Sequence, residues 1–191
     1  MPSSCNSRTG PHNGSACEYV GLRFQFAGSH PSVQDVQSNL ANSYQLLGRF
    51  EEALPLRRDV YSRDLKLNGE EQETTLMAAF NYASTLIELE RLKEAKSLFR
   101  KTMPVARRVL GESNDITLTM RWHYARALYY DEGATLDDLR KAVTILEDTE
   151  QTARRVLGGT HPMTTGIEDD LRRARAALHA RKAPPTTKSQ N

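Results

Sequence analysis

The sequence predicts an all-α protein, a solenoid of antiparallel helix pairs made of about three 42-residue repeats and one C-terminal capping helix. Three observations carry this. Blocks of sequence recur at a fixed spacing. Within each block the apolar residues follow the 4-3-4 rhythm of a buried helical face. Glycine, proline and capping residues fall where that rhythm stops.

Asn39-Leu40-Ala41 recurs as Asn81-Tyr82-Ala83, an offset of 42 residues, and Arg49-Phe50-Glu51-Glu52-Ala53 recurs as Arg91-Leu92-Lys93-Glu94-Ala95 at the same offset. The third copy keeps His123-Tyr124-Ala125 in phase and then slips. Ala142 follows Ala95 by 47 residues, and Leu157-Gly158-Gly159 follows Leu110-Gly111-Glu112 by 47, so five residues are inserted between its two helices. A unit of this length cannot bury its apolar face alone and must stack on its neighbours. The organisation expected is a mostly disordered segment over 1–30, repeats over about 31–71, 72–113 and 114–160, a cap over 161–181 and a disordered tail over 182–191.

Before the repeats, Tyr19 to Phe26 is the one apolar island, readable as the second helix of an earlier repeat or as a short strand. Ser32 with Asp35 three residues on resembles a capping box, with Pro31 just ahead. The first helix then places Val36, Leu40 and Leu47 on one stripe and ends at Gly48. Its partner turns Ala53, Leu56, Val60 and Leu67 inward, tolerates Pro55 near its first turn and closes at Asn68-Gly69.

Repeat two is the cleanest: Leu76, Phe80, Ala83 and Ile87, then Leu92, Ala95, Phe99, Thr102, Ala106 and Val109. Pro104 predicts a bend late in its second helix. In repeat three, Tyr130 to Ala134 replaces the tight turn and Thr135-Leu136-Asp137-Asp138 opens a helix with an acidic first turn. Leu139, Ala142, Ile145, Leu146 and Val156 form its apolar side. The last helix, near Pro162 to Arg181, faces Ile167, Leu171, Ala174 and Leu178 inward. Glu168/Arg172 and Asp169/Arg173 are set for i,i+4 pairs outside. With no second helix after it, it reads as a polar cap.

A charged fraction of 26% with few aromatics suits a soluble, surface-rich helical protein, and a net charge of +2 does not argue for nucleic acid or an anionic membrane. No apolar run reaches the ~20 residues of a membrane span, and the start of the chain lacks the pattern of a secretory signal. A cytoplasmic protein is expected. Cys5 and Cys17 lie outside the repeats without Cys-x2-Cys spacing, so free thiols are expected and no metal or cofactor. Glu51-Glu52, Asp137-Asp138 and Asp169-Asp170 are adjacent on helices, their side chains diverging by about 100°. They read as solvated faces or N-terminal charge complements, and no nucleophile elbow, phosphate loop or zincin spacing is present. An enzyme is not expected.

The run Asn-Leu-Ala-x-x-Tyr-x-x-x-Gly-Arg-Phe-Glu-Glu-Ala at Asn39 to Ala53, with Leu-Gly-Gly-Thr-His-Pro at Leu157 to Pro162, resembles the tetratricopeptide repeats of the kinesin-light-chain type. Such units exceed the ordinary 34-residue form by roughly one helical turn per helix. The resemblance covers about residues 28–178 and implies a right-handed superhelix that acts as a scaffold or adaptor, binding a protein or extended peptide on its concave face. Arg57 stands where these repeats usually place an aromatic, and Arg172 where they place a small residue. The sequence before the repeats holds no sustained heptad run of the kind that joins a kinesin light chain to its motor.

By that analogy the first helix of each pair lines the inner face. Stepping in register gives Asn39 and Asn42, Asn81 and Ser84, then His123 and Arg126, with Phe80, Trp122 and Tyr130 beside them. Amides can hydrogen-bond a peptide backbone, and Arg126 suits an acidic partner. Phe80 and Trp122 equally suit packing between helices, and the asparagines an ordering ladder. His30 and His161 belong to the linkers. The alternative function is nucleic-acid binding through Arg107-Arg108, Arg154-Arg155 and Arg172-Arg173, whose plainer role is to complement helix C-termini.

Overall fold

Seven helices follow one another in the structure, a computed structural model that describes residues 33–182. They are α1 (Val33–Leu46), α2 (Phe50–Asn68), α3 (Glu73–Glu88), α4 (Leu92–Leu110), α5 (Asp115–Tyr129), α6 (Leu136–Leu157) and α7 (Pro162–Lys182), and no strand occurs among the described residues. The expectations for residues 1–30, Tyr19 to Phe26, Cys5, Cys17, Ser32 and residues 183–191 lie outside the described residues. By its internal contacts the chain divides into residues 1–36 and 37–191, and the helical array belongs to the second unit from Gln37 onward.

Local chemistry sets the ends of the helices. Thr135 Oγ1 accepts the Asp138 N–H at 3.1 Å while the Asp138 carboxylate accepts the Thr135 N–H at 3.1 Å, a complete capping box at the start of α6. The Asn114 side chain accepts the Ile116 N–H at 2.8 Å to start α5. His161 Nδ1 accepts the Met163 N–H at 3.2 Å, which gives the linker histidine its task at the head of α7. The second helix of each pair ends at a glycine with positive φ: Gly69, Gly111 and Gly158. The turn between α1 and α2 likewise uses Gly48 at φ 70°, but its equivalent in the second repeat is Glu90, forced to φ 56°. Both α2 and α4 continue through Pro55 and Pro104.

The helices stack in chain order from α2 to α7, and the first helices α3, α5 and α7 also touch one another. One core runs through the array, from Leu76 and Phe99 through Leu118, Met120, Tyr124 and Leu128 to Leu146, Ile167 and Ala174. A smaller cluster of Val60, Tyr61, Ala78 and Ala79 joins α2 to α3. Arg57 fills its aromatic-type position by hydrogen bonding: it is buried and donates to Asn42 at 2.7 Å and Gln45 at 2.9 Å. Arg172 is exposed, as a cap requires.

Four expectations fail. Val36, Leu40 and Leu47 are exposed, because no described helix precedes α1 to cover them. Leu67, Val109 and Val156 share one register position and are exposed in all three repeats. At 3.6 residues per turn the buried face has drifted to the next residue, so that Leu110 and Leu157 are partly buried instead. The two i,i+4 pairs on α7 do not form: Glu168 pairs with Arg154 of α6, and Arg172 with Asp169. Asp170 is not a solvated carboxylate: it is 4% exposed and faces α5 from the cap.

Candidate functional site: the face of the first helices

One more step of 47 residues from His123 and Arg126 arrives at Asp170 and Arg173, so the two register columns read Asn39, Asn81, His123, Asp170 and Asn42, Ser84, Arg126, Arg173. A register counted only as far as α5 misses the cap. The same count carried one helix further is the sequence signal that finds Asp170.

At the C-terminal end these columns are closed by bonds within the chain. Asp170 accepts the Trp122 indole N–H at 2.6 Å on one oxygen and the Tyr129 hydroxyl at 2.6 Å on the other. Arg126 Nε lies 3.5 Å from the first oxygen, and Arg173 lies 3.7 Å from the second. The Trp122 ring lies so close to Gly166 that a Cβ there would stand 2.6 Å from it, so a glycine is required for α7 to approach α5. Trp122 therefore packs between helices. Burial, then the bond to Asp170, holds the Tyr129 phenol well above its ordinary pKa.

His123 is half-buried, with its ring edge-on to Phe80 at 5.0 Å and to Trp122 at 5.5 Å, and its Nδ1 has no hydrogen-bond partner. Burial and the nearby Arg126 charge lower its pKa to about 3. The imidazole is thus neutral. Ser84 is buried. Asn42 is exposed but engaged with Arg57.

The open part of the face lies elsewhere. Asn39 is exposed and Asn81 half-buried, and among the described residues neither side-chain amide has a protein partner. Tyr130 is exposed, with the Arg126 guanidinium 5.3 Å from its ring centre and the Arg173 guanidinium donating to its hydroxyl at 3.3 Å. Arg126 and Tyr130 also line a recess of ≈ 480 Å³ with Ile87, Leu92, Glu88, Glu90, Asp131 and Glu132. Of the two carboxylates on the α5–α6 connection, Asp131 is held by Lys96 at 2.6 Å and also accepts the Gly133 N–H. Lys96, first, holds its pKa below the usual carboxylate range.

Several of the arginines suited to nucleic acid are ion-paired. Arg107 pairs with Glu112 at 2.5 Å and Arg108 with Glu71 at 2.9 Å. Arg154 holds Glu150 at 2.6 Å and also Glu168. Among the described residues, no helix is long and apolar enough to cross a membrane.

Stacked helix pairs with a 42-residue period, glycine-closed second helices and a register-repeated first-helix face define an all-α helical-repeat solenoid. Residues 32–108 match the family model of the tetratricopeptide repeat. The fold is that of the "nearly identical TPR-like repeats" of a putative kinesin light chain from Podosopora anserina, with a TM-score of 0.69 and 24% identity over 80% of this chain and 70% of that one. The structure of BtubC (BKLC) from P. vanneervenii is similar at a TM-score of 0.51 and 16% identity, over 91% of this chain and 76% of that one. Among curated proteins, the clustered mitochondria protein homolog of Candida albicans is 30% identical over 88 residues. That match takes in 46% of this chain, and the chain spans only 6% of that relative's length.

Proposed function

We propose that the protein is a non-catalytic scaffold whose first-helix face holds an extended segment of a partner protein. Tetratricopeptide repeats are in general protein-interaction modules, and one observation carries the reading for this chain. The register columns are saturated by Asp170 at their C-terminal end, yet at α1 and α3 they present the amides of Asn39 and Asn81, neither of which has a protein partner among the described residues. Amides at equal register suit a peptide main chain, whose donors and acceptors repeat along its length.

The expectation of an acidic partner rests on Arg126. That guanidinium already faces Asp170, and four carboxylates share its recess, so an acidic residue is disfavoured there. A neutral or basic side chain, its stem against Ile87 and Leu92, is what the recess accepts.

The test is capture of a partner with the intact chain, followed by calorimetric titration. Asn39→Ala and Asn81→Ala each weaken binding by about 0.5–1.5 kcal/mol, the scale of a neutral hydrogen bond, and leave the melting temperature unchanged. Full affinity in both variants, with loss on changing Arg107 and Arg108 instead, moves the site to the second helices.

A further inference from the structure

Tyr124 of α5 is buried, 1% exposed, and its hydroxyl oxygen receives two cations. Arg100 of α4 donates to it from Nε at 3.4 Å, and Lys141 of α6 from Nζ at 3.1 Å. Both of these residues are exposed, so a solute can approach the phenol from their side.

The repeat register shows how two cations come to share one neutral oxygen. In the first two repeats an arginine at the start of the second helix pairs with a glutamate three residues on, Arg49 with Glu52 and Arg91 with Glu94, each at 2.7 Å. The residues 47 after Arg91 and Glu94 are Asp138 and Lys141, the same pair with its signs exchanged. Asp138 is engaged in the capping box, where it accepts from the Thr135 N–H and hydroxyl. Lys141 turns to Tyr124 instead. Among the described residues neither Lys141 nor Arg100 has a carboxylate within ion-pair distance, and Asp138 acts on Arg100 only from further off.

The phenol accepts from both cations and still carries its own proton, for which no acceptor lies among the described residues. Burial raises its pKa, and the bonds from Arg100 and Lys141 outweigh that and hold it below the ordinary value. Donors from α4, α5 and α6 thus converge where the chain supplies no negative charge. We propose that Arg100, Lys141 and Tyr124 form a binding site for a phosphate monoester dianion. Its two charges balance the two cations, and its three terminal oxygens accept from the three side chains. A carboxylate would leave one cation unbalanced. The site shares no residue with the recess beside Arg126.

Calorimetric titration of the full chain with inorganic phosphate, at slightly alkaline pH and with ionic strength held constant by sodium chloride, tests the site. Saturable binding is expected. Arg100→Gln and Lys141→Gln each weaken it by about tenfold or more, the scale of a hydrogen bond to a charged group, and Tyr124→Phe by about threefold. In chloride alone the two exposed variants melt as the wild type does, so their loss of binding is not a loss of fold. A phosphoserine peptide that binds more tightly than inorganic phosphate, while its unphosphorylated form does not bind, assigns the group to a partner protein; equal affinity assigns it to free phosphate. No saturable heat with either probe overturns the proposal, and so does wild-type affinity in all three variants. A tyrosinate absorption band at neutral pH that Tyr124→Phe removes overturns it as well, since the phenolate would then be the counter-charge of the two cations.

Discussion

Trp122 donates its indole N–H to Asp170 at 2.6 Å, joining the third repeat to the cap across 48 residues of sequence. The same carboxylate takes the Tyr129 hydroxyl, so one buried charge satisfies two donors on α5. Asp170→Ala leaves both donors buried without an acceptor and is expected to cost about 3 kcal/mol. Trp122→Phe costs less, and in the double variant the two losses are strongly non-additive. Urea melts of the four proteins check this; additive losses would mean that the bond contributes nothing.

His123 makes stability depend on pH. The unfolded chain takes up its proton near 6.5, whereas in the folded protein the group resists protonation down to about 3. The contribution is therefore full above pH 6.5 and falls as the pH drops below it, by at most ~1.4 kcal/mol per unit. The lowered carboxylates Asp131 and Asp138 release their share only below about pH 4. Between pH 6.5 and 4 the slope should thus flatten in His123→Phe, as denaturant titrations in that interval will show.

Arg57 is buried without a carboxylate partner among its hydrogen bonds, and its Nε is unpaired. Asn42→Ala strips one of its two acceptors and is expected to cost about 1.5–3 kcal/mol. Arg57→Met removes the buried charge along with the need for acceptors and should be neutral or stabilising by about 1 kcal/mol. Thermal melts that rank Arg57→Met below Asn42→Ala would refute the assignment.

Glu90 occupies the left-handed conformation that Gly48 adopts in the preceding repeat. Relief of its backbone strain by Glu90→Gly, less the extra freedom glycine has when unfolded, should raise stability by about 0.5 kcal/mol. A shift of the urea midpoint to higher concentration, with unchanged slope, is the expected reading.

The array is legible in the sequence because repetition reports the same packing three times over. An error at one position, such as Val109 for Leu110, does not change which helices meet. The register columns are legible too, wherever the count is carried. What the sequence does not convey is the state of each member. Trp122 and Tyr130 are both aromatic and eight residues apart, yet Gly166 lets α7 close over the first while the second stays exposed. Asp169 and Asp170 read as a pair of solvated acids, and it is the packing of α7 on α5 that buries the second.

The five residues inserted between α5 and α6 form a connection that is fastened on both sides. Lys96 of α4 holds Asp131, Arg181 of α7 donates to the Glu132 carbonyl at 3.2 Å, and Ala134 is buried. A protease needs several residues of slack chain to fit its cleft, and this connection offers none despite its length. Brief digestion should therefore spare the link between α5 and α6, until Lys96→Ala loosens it.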